Sequence, residues 1–193
     1  AAGDRAYVAV TAANEIVVVD TTLITVTTQI PVDALPYAIA ISNIGDGNDQ
    51  NGYIFVTHLL SFPKFNSIAT INDDREAKVT QLSAKTNEIS QVITLTSDIH
   101  GFPNLLTGIG ITNGRVWIPH VRDSPALPNG LTSTVFAAVA AIDRVKKSEA
   151  IDSRLLLNDE EVFGSPVNNP TAIAFSPDEQ TMYVVVAGSN LVE

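Results

Sequence analysis

The chain has 193 residues, of which 45% are apolar and 17% charged, with no cysteine and a formal net charge of −10. That balance belongs to a globular chain with ample core. The acidic surplus argues against binding nucleic acid or an anionic membrane surface, no apolar run approaches the ~20 residues that span a bilayer, and the missing cysteine excludes disulfides, thiolate metal sites and Cys-x-x-Cys-His haem attachment within the chain.

Taken from the N-terminus, "YVAVTAANEIVVVD" (residues 7–20) reads as two apolar strands around a turn, and "ITVTTQI" (24–30) as a third that alternates. "PYAIAIS" (36–42) is a small apolar strand. A Gly- and Asp-rich turn follows, and then "NGYIFVTH" (51–58), "AKVTQLS" (77–83) and "EISQVITL" (88–95). The series returns as "LTGIGIT" (106–112), "NGRVWIPH" (113–120), "VFAAVAAID" (135–143) and "AIDSRLLL" (150–157). It begins again with "PTAIAFS" (170–176) and "YVVVAGSN" (183–190). The Ala-rich stretch 135–152 also fits an amphipathic helix, with Val135, Val139, Ile142 and Val145 on one side. The strand reading is kept because Asp143 falls in the same phase as Asp20, directly after an apolar strand.

Aligning these runs makes Tyr7, Tyr53, Arg115 and Tyr183 equivalent, at spacings of 46, 62 and 68 residues. A recurring unit of four short strands is the signature of a β-propeller blade. The predicted fold is therefore all-β: a β-propeller of four-stranded antiparallel blades. The units run approximately over 1–36, 37–105, 106–169 and 170–193. The first strand of each unit is expected to be buried on both faces, and the fourth to be an outer, half-solvated edge. Counted this way, the chain covers about three blades of an incomplete ring. The expectation is a fragment of a longer polypeptide, or a ring closed by a second copy.

Tyr7-Val8, Asn14, Ile16, Val18 and Asp20, together with Ala187-Gly188-Ser189-Asn190, resemble the YVTN β-propeller repeat. Its consensus runs Tyr-Val-Thr-Asn-Ala-Gly-Ser-Asn and then an alternating strand ending in Asp. The match covers most of the first and last units. It departs from the pattern at Ala9-Val10, Val185-Val186 and Arg115. The stretches around 101–125 and 131–143 look more like a secreted subgroup in which such propellers are fused to dihaem peroxidase-like domains. The resemblance implies the fold, and an extracellular, cell-surface or periplasmic location. Its motifs are structural and imply little about activity.

Connections in such a fold alternate between two faces. The two long insertions, 58–76 and 120–133, both join second to third strands, and the connections between units open on the same face. Binding sites tend to lie on such loops, held by a rigid scaffold. All three histidines fall there. His58 and His120 are equivalent, and His100 lies between them. They are a candidate metal set, with Asp98 or Asp123 supplying oxygen. The competing reading has His58 and His120 cap their strands and bond loop backbone, and no short-range ligand spacing supports the metal. Phe62, Phe65, Arg122 and Asp123 mark the same face as a partner surface. The acidic loop 46–52 has a calcium-like composition without EF-hand order and reads as a solvated turn. Trp117 reads as core. Ser61, Ser124 and Ser133 lie near histidines without the order of a catalytic triad, and no nucleotide or hydrolase motif is present. No cofactor is expected within the chain beyond a metal ion.

The resulting expectation is a non-enzymatic secreted or cell-surface scaffold that engages a protein partner, or the remainder of its own propeller, through the insertion-bearing face. The alternative is the propeller domain of a periplasmic haem- or metal-dependent oxidoreductase whose redox centre lies outside this chain. Neither nucleic acid nor membrane insertion is expected.

Overall fold

The computed structural model describes residues 4–42, 52–64, 73–126, 134–157, 167–188 and 191–192. These residues form four antiparallel sheets taken up one after another along the chain. The first contains β1 (Arg5–Val10), β2 (Glu15–Asp20) and β3 (Thr25–Pro31). The second contains β4 (Pro36–Ile41), β5 (Tyr53–His58), the two-residue β6 (Phe62–Pro63), β7 (Arg75–Ser83) and β8 (Ile89–Leu95). The third contains β9 (Phe102–Asn104), β10 (Gly110–Ile111), β11 (Arg115–Asp123), β12 (Val135–Asp143), β13 (Ser148–Glu149) and β14 (Leu155–Leu156). The fourth contains β15 (Pro170–Phe175), β16 (Met182–Val186) and β17 (Leu191–Val192). Within each sheet the main strands pair in sequence order, as in a meander.

The all-β expectation holds. The ambiguous Ala-rich segment is the nine-residue strand β12, paired with β11 from Asp123↔Val135 to Arg115↔Asp143. Its β-branched and small residues pack between two sheets, and that context overrides local helix preference. The strand expected over 150–157 is interrupted. Ser148–Glu149 and Leu155–Leu156 both pair with β12, on either side of a 3-10 turn at Ile151–Ser153.

Burial corrects a second expectation. The first strands are only half-buried: in β4 and β15 just the leading proline is sealed. The middle strands β5, β7, β11 and β12 are the buried ones. Each middle strand has a partner on both edges and apolar neighbours across its faces, whereas a first strand has one open edge.

The core lies between sheets. Ile16, Val18 and Ile30 of the first sheet meet Ile54, Val56 and Leu82 of the second. Phe55, Val79, Ile93 and Leu95 of the second meet Val116, Ile118, Ala140 and Ile142 of the third. Ala137 and Val139 of the third meet Val184 and Val186 of the fourth. Alternation along each strand divides its side chains between the two layers. Hydroxyl groups tie each sheet to the start of the next: Thr11 donates to the carbonyl of Pro36 at 2.7 Å, Thr57 to Leu106 at 2.9 Å and Thr107 to Pro170 at 2.8 Å.

A repeated turn joins β2 to β3, β7 to β8 and β12 to β13. Asp20, Ser83 and Asp143 each accept, through a side-chain oxygen, the amides two and three residues on. The fifth residue of the turn is then left-handed: Ile24 (φ 55°), Asn87 (φ 58°) and Lys147 (φ 56°). The phase shared by Asp20 and Asp143 is thus a capping requirement of the turn.

Candidate functional site

The structure does not bring the three histidines together. His58 ends the face of β5 that carries Ile54 and Val56, packed toward the first sheet; His120 ends the face of β11 that carries Val116 and Ile118, packed toward the second. Their equivalence in the repeat is what separates them. Each lies in its own layer with the second sheet in between, and packed sheets stand about 10 Å apart. Both are fully buried. His58 Nδ1 lies 2.9 Å from the Ala34 carbonyl and Nε2 lies 2.8 Å from the Thr80 hydroxyl, so both ring nitrogens are engaged by protein. Burial holds its pKa below the ordinary value, against the opposing pull of the Ala34 bond. Burial pushes that of His120 down to about 3. His100 is partly exposed, 3.5 Å from Asp98, with its ring edge-on to Phe136 at 5.0 Å. Among the described residues no group of three His, Asp or Glu side chains is placed to hold a metal ion.

Arg122, expected on the partner face, is instead 1% exposed. It projects from the same face of β11 as His120 and anchors a network that the sequence reading missed. Its Nε donates to Asp98 Oδ1 at 3.1 Å, and its Nη2 donates to the carbonyls of Thr96 (3.0 Å) and Gly101 (2.9 Å). Arg154 approaches from the 3-10 turn side, donating to Asp98 Oδ2 at 3.1 Å, to Thr96 O at 2.9 Å and to Glu149 at 2.7 Å. Glu149 in turn accepts the Thr96 amide at 2.8 Å. Two arginines and two carboxylates therefore clamp the loop between the second and third sheets. Burial lowers the pKa of Arg122, with Asp98 opposing it. Burial acts the same way on Arg154, but Glu149 and Asp98 outweigh it and raise the pKa. The loop closes tightly on itself: the Asp98 and Gly101 amides each bond the other's carbonyl at 3.0 Å, and Gly101 has φ +94°. Ile99, at the tip of this clamped loop, is 85% exposed.

The bases of the two insertions are joined as well. Asn104 donates to Asp123 at 2.7 Å and accepts the Ser61 amide at 3.0 Å, and Arg75 Nε donates to the Ser61 hydroxyl at 2.9 Å. Asp123 is thus a bonded bracket. Phe62 is half-buried, edge-on to His58 at 5.7 Å and under the ammonium of Lys78 at 4.7 Å. Lys78 also pairs with Asp33 at 3.1 Å. Ser61 and Ser124 are buried. Phe65, Ser133 and all but the last residue of the acidic loop lie outside the described residues.

A cleft of about 750 Å³ opens on the other face, where Thr112, Arg115, Trp117, Asp143, Phe175 and Met182 line it. Trp117, expected in the core, packs against the cluster between the third and fourth sheets and is half-buried at the cleft floor. Its indole donates to Thr112 at 3.1 Å, Phe175 lies 6.3 Å away, and the Arg115 guanidinium stands 5.6 Å over the ring. Amides of the turn hold Asp143 below the usual carboxylate range, that of Lys146 foremost, and the Ser176 hydroxyl does the same for Asp178. This cleft and the insertion-bearing loops are on opposite faces. The loops offer a clamped and exposed knob, the cleft an apolar floor with charged walls.

No protein-family model matches the chain, and no curated protein sequence does. Among solved structures, hydrazine synthase from Kuenenia stuttgartiensis is similar with a TM-score of 0.73 at 19% identity, over 98% of this chain and 49% of that one. The chain thus spans about half the length of that protein's chain. The likeness is one of fold: all-β, with successive antiparallel sheets. A functionally unknown protein from Desulfotomaculum acetoxidans (TM-score 0.42, 14% identity, 90% of this chain and 56% of that one) is also similar. So is a variant of an apocarotenoid oxygenase from Synechocystis (0.43, 11%, 93% and 42%). Both of these likenesses are too slight to say more.

Proposed function

We propose that this chain is part of a β-propeller of the YVTN type and serves as a secreted, cell-surface or periplasmic binding module, non-enzymatic in itself. Its partner is a protein engaged through the face bearing the two insertions. The propeller reading is supported by the antiparallel sheets taken up one after another along the chain and by the first strands, of which β10 lies against both β4 and β15 as blades converging on an axis would. The partner reading rests on one observation. Ile99 is 85% exposed on a loop that the buried Arg122 and the partly buried Arg154 hold in place. A rigid apolar knob loses little conformational freedom on docking, which favours it as an interface anchor.

A photo-crosslinking residue at position 99 of the full-length protein should give a discrete adduct in the native secreted or periplasmic fraction, and one at position 145 on the opposite face should not. Ile99→Asp combined with a crosslinker at position 62 should lose that adduct. Equal labelling from positions 99 and 145, or an adduct unaffected by Ile99→Asp, refutes the assignment of the face.

A second reading, the propeller part of an oxidoreductase whose redox centre lies outside this chain, is favoured by the likeness to hydrazine synthase. Visible absorption of the purified full-length protein distinguishes the two. A haem or metal chromophore supports the oxidoreductase, and its lack supports the plain binding module.

A further inference from the structure

We infer that His120 Nε2 and Arg122 Nη1, between β11 and the second sheet, share one small neutral molecule that accepts a hydrogen bond from Arg122 Nη1 and donates one to His120 Nε2: a resident water. The two side chains are two residues apart on one face of β11, 0% and 1% exposed. Each keeps one polar atom without a partner among the described residues, His120 Nε2 and Arg122 Nη1. Leaving two such atoms unpaired in a sealed interior is costly, and native proteins do so rarely.

The chemistry of the two atoms selects the occupant. His120 Nδ1 lies 3.0 Å from the carbonyl of Ile118, an acceptor only, so Nδ1 carries the ring proton and Nε2 presents a lone pair. Burial keeps the ring neutral, and the nearby Arg122 charge opposes its protonation further. Arg122 Nη1 can only donate. The occupant must therefore accept on one side and donate on the other. An anion meets the first demand and fails the second. The clamp also leaves no excess charge for an anion to neutralise, since Arg122 and Arg154 are already matched by Asp98 and Glu149. A cation is repelled by Arg122. Water satisfies both atoms, and buried waters typically bridge polar groups in this way. Through it His120 completes the hydrogen bonding of Arg122, whose other two nitrogens hold the loop of residues 96–101. His120 is thus a positioning residue for that loop. The inference stands whatever the loop binds.

Long-range proton–nitrogen NMR of the native protein tests the tautomer, which should be Nδ1–H with an unprotonated Nε2 at pH 5 to 8. Oxygen-17 relaxation dispersion counts long-lived internal waters, and His120→Phe should remove one relative to wild type while His58→Phe leaves that site's water in place. Crystals grown in bromide test the anion alternative. A proton on Nε2, an unchanged water count in His120→Phe, or bromide density within hydrogen-bonding distance of Arg122 Nη1 would each overturn the inference. Should His120→Phe fail to fold, a crystal structure of the wild type decides the question. Density bridging the two atoms supports the site, and direct contact of both with protein groups ends it.

Discussion

Ile24 is a β-branched residue in a left-handed conformation, φ 55°, where its Cβ crowds the following carbonyl. The same turn in the next two sheets places Asn87 and Lys147 at that position. The left-handed region costs an ordinary L-residue about 1–2 kcal/mol, and Asn, whose short polar side chain bonds locally, tolerates it better than most. Ile24 is 83% exposed, so replacing it forfeits almost no burial. Ile24→Asn is therefore expected to stabilise the fold by about 1 kcal/mol, raising the melting temperature by about 2–4 °C in a chain of this size. The reverse exchange at the equivalent position is the control. Asn87→Ile restores the strain and also removes the acceptor that Tyr7 Oη reaches at 2.8 Å. It should destabilise by about 2 kcal/mol, roughly half from each cause. Urea titrations of the three proteins, read by tryptophan fluorescence and far-UV circular dichroism, measure both. If Ile24→Asn leaves the midpoint unchanged or lowers it, the strain argument is refuted.

Gly101→Ala would place a Cβ 1.7 Å from the Asp123 carbonyl oxygen at a residue with φ +94°. Either the loop moves and breaks its bond to Arg122, or the chain strains. Destabilisation on the order of 3 kcal/mol is expected from a urea titration, and a loss below about 0.5 kcal/mol would show that the loop is free to shift. Stability should also fall on acidification. His120 titrates at about 3 when folded, against an unfolded value near 6.5. The unfolded chain therefore takes up the proton first. The contribution is intact above about pH 6.5 and is lost toward pH 3 at up to about 1.4 kcal/mol per pH unit. His58, also held low, adds in the same direction. His120→Phe should flatten the pH 6.5 to 4 portion of the unfolding curve by about one proton, and an unchanged slope would contradict the burial argument.

The strands were legible because their signals are local and repeated. Tyr7, Tyr53, Arg115 and Tyr183 start or fall in equivalent strands, and the phase of Asp143 correctly decided for β12 over a helix. What the sequence concealed depends on facing. His58 and His120 were recognised as equivalent, but equivalence along a stack of sheets means separation, and a sheet lies between them. Arg122 falls at the base of an insertion, which places it on the partner face, yet its side chain turns inward. Its signal was alternation: it continues the face of Val116, Ile118 and His120, which is buried. Its partner Asp98, and the Arg154 and Glu149 that complete the clamp through Asp98 and Thr96, lie in other segments, and no spacing in the chain announces them. Trp117 does reach a core cluster, that between the third and fourth sheets, but at the edge where the layer widens into a cleft. Ile24 carries no mark of its backbone conformation, since its residue type argues against it.

The apolar clusters each straddle two successive sheets, so a sheet in the middle of the series contributes to two of them. Such a molecule behaves like a row of dominoes in energy as well as in form. Loosening the second sheet exposes the apolar flank of both its neighbours, while loosening an outer one exposes a single flank. Native-state hydrogen exchange should therefore show amides of β5 and β7 opening only in the largest and rarest fluctuation. The Thr96 and Gly101 amides, though they belong to a surface loop, should exchange with β11 and β12, because they bond Glu149 and Asp98, which the arginines of the third sheet hold in place.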